Sequence, residues 1–277
     1  MTILIALAAV TAVAAAVRST WSPCGLSMLS SITPLAEAGR GRRFGVTASW
    51  FLAGAIVGGL MLGGLAAAGA VLLGAAGWSA SIALMAAAVA ALITAAFDAG
   101  AVPPAIPHHR RQVNELWLNR YRGWVYGFGF GWQIGVGVAT YIMTAAVYLT
   151  FVLAALTTSP AIALVLGGLF GTARGLAIFL GAKSTSPAAL MSFHRRFDAL
   201  AEPVRLAVLG VQLVVAVMAA VGAWGVASPG AAVVAVVAMG LAAVGLRRPV
   251  DNSCAVPGAA AGTGASAGTG TATAIRA

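Results

Sequence analysis

Seven long apolar stretches, at about 3–35, 45–73, 78–97, 124–155, 160–182, 204–227 and 229–246, follow one another along this chain with short connections between them. A run of about 18 apolar residues or more, with few charges, is long enough to cross the hydrocarbon core of a bilayer as a helix. Only 8% of the residues are charged, where a soluble domain carries roughly 25%. The expected class is therefore all-α integral membrane, with about seven transmembrane helices. The 35 glycines suit close helix–helix packing in lipid.

Two stretches are too long for one straight span. Thirty-odd residues at ~1.5 Å each reach roughly 45–50 Å, against a core of about 30 Å. Each is expected to be broken. Ser22-Pro23 supplies the break in the first, because proline lacks the backbone donor and clashes with the preceding turn. In the fourth, the run Gly127, Gly129, Gly131, Gly135, Gly137 is expected to do the same.

The connections alternate in charge. Arg40, Arg42 and Arg43 follow the first stretch, and Arg110, Arg111, Arg120 and Arg122 the third. Lys183, Arg195, Arg196 and Arg205 follow the fifth, and Arg247 and Arg248 the seventh, while 74–77, 156–159 and 228 carry no charge. The positive-inside rule then places the N-terminus outside and the C-terminus in the cytoplasm of a multi-pass protein of the cell membrane. It also assigns the net +10 to headgroup contact with the lipid bilayer rather than to nucleic acid. The apolar N-terminal run lacks a preceding positive region, so it reads as a span rather than a cleaved signal. Residues 1–248 form the transmembrane domain in this reading, and the small, polar, aperiodic segment 249–277 a disordered cytoplasmic tail.

The chain partly repeats itself. "LGGLAAAGAVLLGA" (62–75) resembles "LGGLFGTARGLAIFLGA" (166–182), and in the same register Trp21 lies opposite Trp132. A three-span unit followed by itself is inverted, because three is odd. The expectation is a 3+3 inverted repeat, halves about 1–97 and 124–227, with broken first and fourth helices and one extra helix at 229–246. Membrane transporters with a midplane site follow this pattern.

Ser22-Pro23-Cys24 with Pro34 beyond it, and "FGFGWQIG" (128–135), resemble the two signatures of the CcdA/DsbD transmembrane family of cytochrome c biogenesis and thiol–disulfide electron carriers. The resemblance implies a six-helix inverted-repeat core passing two electrons from a cytoplasmic thioredoxin-like donor to an extracytoplasmic thioredoxin-fold acceptor. It also implies a redox-active Cys24. The chain departs from the family where a second Pro-Cys would fall, at Ile134 and Gly135, so no disulfide forms within the membrane core. Cys254, the other cysteine, belongs to the tail segment.

The candidate site follows from these residues. Cys24 is the proposed catalytic thiol, set against the plainer reading of a small core residue. Ser22, Pro23, Pro34, Gln133 and Gly135 are expected to form the helix break and line the site. Arg174 lies deep in the fifth stretch, where an arginine costs about 2.5–3.5 kcal/mol and marks a functional site. Its expected partners are freed carbonyls, Gln133 or an anion, because Asp98 is at the end of the third stretch; Arg18 raises the same question. Ser19, Ser22, Ser27, Ser30, Ser31 and Thr33 either line a cavity or bond to neighbouring carbonyls. His108, His109 and His194 sit in basic segments, "PHHRRQ" and "SFHRRF", that read as headgroup-facing with Trp117 and Phe197 rather than as metal ligands. No metal or cofactor is implied.

Three functions remain open on these grounds. The leading one is transmembrane thiol–disulfide transfer for cytochrome c or envelope-protein maturation. The others are transport of a small anion or sulfur compound through Arg174 and Arg18, and a non-catalytic assembly subunit.

Overall fold

The computed structural model describes residues 1–102, 121–138 and 141–248. The expectations for His108, His109, Trp117 and the segment 249–277 with Cys254 lie outside the described residues. Within them every regular element is helical, and the chain is an all-α integral membrane protein.

The first stretch divides into α1 (Thr2–Arg18), a 3-10 turn (Ser19–Trp21), α2 (Pro23–Ser31) and α3 (Pro34–Gly39). The second is one helix, α4 (Phe44–Ala75), and the third is α5 (Ala80–Ala99). The fourth divides into α6 (Gly123–Val136) and α7 (Ala146–Leu156), each shorter than the ~20 residues a crossing needs. The fifth is α8 (Pro160–Leu176), tightening into a second 3-10 segment (Ala177–Lys183). Then come α9 (Pro187–Ala199), α10 (Ala201–Trp224) and the extra helix α11 (Pro229–Arg247). Among the described residues six helical stretches are long and apolar enough to cross a membrane alone, and the fourth span is divided between two shorter helices.

Helix α4 is central. One of its faces carries Gly54 and Gly58 against α6, and another carries Gly59 and Gly63 against α8. With no side chain between the backbones, the helices approach until carbonyl oxygens fill the Cβ positions, which is how helices associate in lipid. Gly63 and Gly167, equivalent positions of the repeated motif, meet at the α4–α8 crossing.

The other neighbours follow the same exchange. The third span packs on the sixth, and the first touches the fifth and sixth as the fourth touches the second and third. Helix α11 lies outside this arrangement, against α5 and α10.

The basic connections gather at one end. Arg42 donates to the Tyr121 carbonyl at 2.9 Å, and the Arg248 side chain lies against Gly100. Arg40 bonds the Ser31 carbonyl at 2.8 Å and the fully buried Glu37 at 3.0 Å, while Glu37 also accepts from Thr47 at 2.5 Å.

Candidate functional site

The first span breaks where the sequence places its proline. Ser19 Oγ bonds back to the Ala15 carbonyl at 2.7 Å as the helix narrows into its 3-10 turn. Ser22 then takes an extended conformation, ψ 155°, and its Oγ accepts from the Gly25 N–H at 3.2 Å. Pro23 occupies the first position of α2, where its missing donor costs nothing. Cys24 is therefore the second residue of a half-helix that begins inside the protein, and it is 1% exposed. Its thiol is not in a disulfide.

Several serines and threonines of this span bond to its own backbone. Besides Ser19 and Ser22, Thr33 caps α3 through the Ala36 N–H at 3.1 Å, and Ser30 bonds the Leu26 carbonyl at 2.8 Å. Ser31 meets the Tyr126 hydroxyl at 3.2 Å. Pro34 opens α3, one helix beyond the site, and does not belong to the break around Cys24.

Arg174, on the last turn of α8, comes to Cys24. Their charges lie within electrostatic reach of each other, and the arginine is 2% exposed. Its Nε and Nη1 find no hydrogen-bond partner, and its guanidinium carbon lies 5.9 Å over the Phe170 ring. The helix tightens to 3-10 geometry directly after this turn, and that segment packs on α2.

The fourth span is broken as expected, at one glycine of its run. The break falls at the last glycine of the expected run: α6 continues through Gly127, Gly129, Gly131 and Gly135 and ends at Gly137, φ +75°. Ile134 keeps its backbone donor, and the helix runs on to a residue that adopts positive φ cheaply.

Gly135 is consequently not a break residue. It is buried in mid-helix with the Ala55 carbonyl occupying its Cβ position. Gln133 is likewise helical and half-buried, and no hydrogen bond joins it to Arg174 among the described residues. The fourth-span break still reaches the site, because Gly137 lies against the edge of Phe170. Arg174 thus lies over the ring that touches Gly137 at the fourth-span break.

Arg18 goes elsewhere. Half-buried at the end of α1, it interacts electrostatically with Asp98 and Glu202 rather than joining Arg174. Asp98, which the sequence left at the end of its helix, accepts from Thr144 Oγ1 at 2.5 Å, the Ala145 N–H at 2.8 Å and Gln212 Nε2 at 2.5 Å. It therefore caps α7, the second half of the broken fourth span. Gln212, alone among apolar residues in "VLGVQLVVAV", was the signal for this cluster. Phe170 carried no such signal. It is one aromatic among ten phenylalanines in a lipid-facing composition.

Helix α9 docks beside the break. Trp21 Nε1 donates to the Phe197 carbonyl at 2.9 Å, and the two rings stack at 4.2 Å. His194 meets Ser30 Oγ at 3.2 Å, while Arg195 and Arg196 are exposed.

No family model matches this sequence, and no solved structure matches it. It is similar to methylamine utilization protein MauF from several bacteria. The MauF of Paracoccus denitrificans is 31% identical over 208 residues, covering 72% of this chain and 73% of that protein. The MauF of Paracoccus versutus is 30% identical over 60% of this chain and 61% of its own length. That of Methylobacillus flagellatus is 33% identical over 61% and 60%.

Proposed function

The chain belongs to the MauF family of methylamine utilization proteins, and on that premise we propose that it is a membrane-embedded thiol carrier serving methylamine utilization. The observation that carries this reading is the position of Cys24. It sits at the start of a half-helix created by Pro23, with Arg174 as its charged neighbour. Among thiol reactions, exchange is the one a membrane scaffold of CcdA/DsbD type supports.

With one membrane cysteine, the two electrons pass through mixed disulfides. The Cys24 thiolate opens the disulfide of an outer thioredoxin-fold acceptor, forming Cys24–S–S–acceptor and one free acceptor thiolate. A thiolate of a cytoplasmic dithiol donor then attacks the Cys24 sulfur and expels the second acceptor thiolate. The donor's remaining thiol closes the donor disulfide and releases Cys24. The acceptor gains two electrons and the donor loses two. Because Cys24 is buried, exchange requires the seam between α2 and the second 3-10 segment to open. A 3-10 run of seven residues is long for its type and suits a hinge. In this orientation the basic end faces the cytoplasm.

Thiol trapping tests the proposal. Cells growing on methylamine are acid-quenched and alkylated with a mass-shifting maleimide, comparing wild type with Cys24→Ser and Cys254→Ser. A mixed disulfide that needs Cys24 and survives loss of Cys254 is expected. A Cys24 that stays reduced and free of adducts under oxidant and reductant stress removes the reading.

A further inference from the structure

The apolar packing around α8 divides at Arg174. Phe170, one turn before it, belongs to a cluster with Ala12 and Ala16 of α1 and Val147 of α7. Ala177 and Ile178, about one turn after it, belong to a separate cluster with Met28 of α2 and Ile134 of α6. The two halves of the first span thus fall in different clusters, and so do the two halves of the fourth. Arg174 stands on the same face of α8 between Phe170 and Ile178, and so at the depth where those clusters divide. About 21 Å of helix separate it from Pro160 at the uncharged end, and about 17 Å of helix and 3-10 turn from Lys183 at the basic end. Its head does not snorkel to either surface: the residue is 2% exposed.

A buried guanidinium without a counter-charge costs several kcal/mol, and no ion pair supplies one to Arg174 among the described residues. Glu37 is held by Arg40 and Thr47, Glu202 by Arg205, and Asp98 by Thr144, Ala145 and Gln212. Asp198 is exposed on α9. Both Nε and Nη1 of Arg174 are buried without a hydrogen-bond partner. Arg205 also has a buried, unpartnered Nη1, but its other nitrogens hold Glu202 and the Gly245 carbonyl. Phe170 lies over one face of the Arg174 guanidinium at 5.9 Å, so a ligand is taken in the plane of the group, where its N–H donors point.

We propose that Arg174 is a binding site for a small monovalent anion, of the class of chloride or nitrate, held between the two apolar clusters inside the membrane. One charge is the complement of one guanidinium, and a dianion would leave a net charge buried. Apolar surroundings exclude a bulky polyhydroxylated anion, whose hydroxyls would lose water without finding partners. The depth of Arg174 excludes a lipid headgroup, so the anion comes free from solution. The site stands whether or not Cys24 carries electrons.

The test is the melting temperature of the full chain purified in one detergent, followed as chloride, nitrate or sulfate replaces gluconate at constant ionic strength. The parent protein is expected to gain about 3–6 °C at about ten times the Kd of chloride or nitrate. Arg174→Met, which keeps an unbranched side chain and removes the charge, is expected to gain about 1 °C or less. Sulfate is expected to move the two proteins alike. In gluconate alone Arg174→Met should melt at or above the parent temperature, because it no longer buries an unpaired ion; saturating chloride then reverses the order. A parent protein that does not respond to chloride or nitrate overturns the proposal, as does an equal response in Arg174→Met. So does an Arg174→Met that melts well below the parent in gluconate or fails to accumulate, since Arg174 would then be satisfied within the protein itself. A parent response to sulfate beyond that of Arg174→Met overturns the monovalent assignment.

Discussion

The carbonyl oxygen of Ala55 on α4 occupies the space a Cβ on Gly135 of α6 would need. This position is therefore closed to any side chain unless the helices shift. Gly135→Cys is expected to push α4 and α6 apart at a cost of about 1–3 kcal/mol or more. It should form no disulfide with Cys24. Thermal unfolding of the detergent-purified variant and a non-reducing gel check this. A stable variant with a new intramolecular disulfide would sink the account of this helix pair.

Gly137 is sensitive for a different reason. Its φ of +75° disfavours any L side chain, and a Cβ there would stand 2.9 Å from Phe170 Cε1. Gly137→Ala is expected to cost about 1–2 kcal/mol from backbone strain alone, and more from the ring contact. Gly210→Ala, a helical glycine facing open space on α10, is expected to be neutral or to stabilise by up to about 1 kcal/mol. Equal melting temperatures for the two variants would contradict the placement of the fourth-span break.

The cap on α2 gives a smaller effect. Ser22→Ala removes the acceptor for the Gly25 N–H and is expected to cost about 1 kcal/mol, while Ser22→Asp retains an acceptor there. The comparison is made by thermal unfolding in one detergent. No loss in Ser22→Ala would mean that α2 does not depend on its cap.

Asp98→Ala strips three donors of their acceptor at once, two on the fourth span and one on the sixth. Each buried donor left unsatisfied costs about 1–3 kcal/mol, so this variant should be among the least stable of any single substitution. The expected readout is poor membrane accumulation together with a large fall in melting temperature. A wild-type melt would show that α7 is held by packing alone.

Trp21→Phe keeps the stack on Phe197 but loses the 2.9 Å bond to its carbonyl. The loss, about 1 kcal/mol, is expected to speed tryptic cleavage at Arg195 and Arg196 by about fivefold when opening limits access. An unchanged cleavage rate would mean that α9 is not latched through Trp21.

Much of this protein was decided by its sequence. The spans, the alternation of basic and uncharged connections and the break at Ser22-Pro23 are local consequences of hydrophobicity, charge and a missing backbone donor, and each can be read residue by residue. Only the tertiary structure decided the rest. The glycine run before Gly137 looked like a weak helix, yet close packing on α4 is what a helix without side chains makes possible. Asp98 looked like an end residue until α7 brought its unsatisfied N-terminus to it. Arg174 and Cys24 lie 150 positions apart in the numbering and supported rival functions when each was considered alone. The crossing of α8 on α4 at paired glycines is a tertiary fact that neither residue announces, because close helix approach depends on which faces the packing turns together.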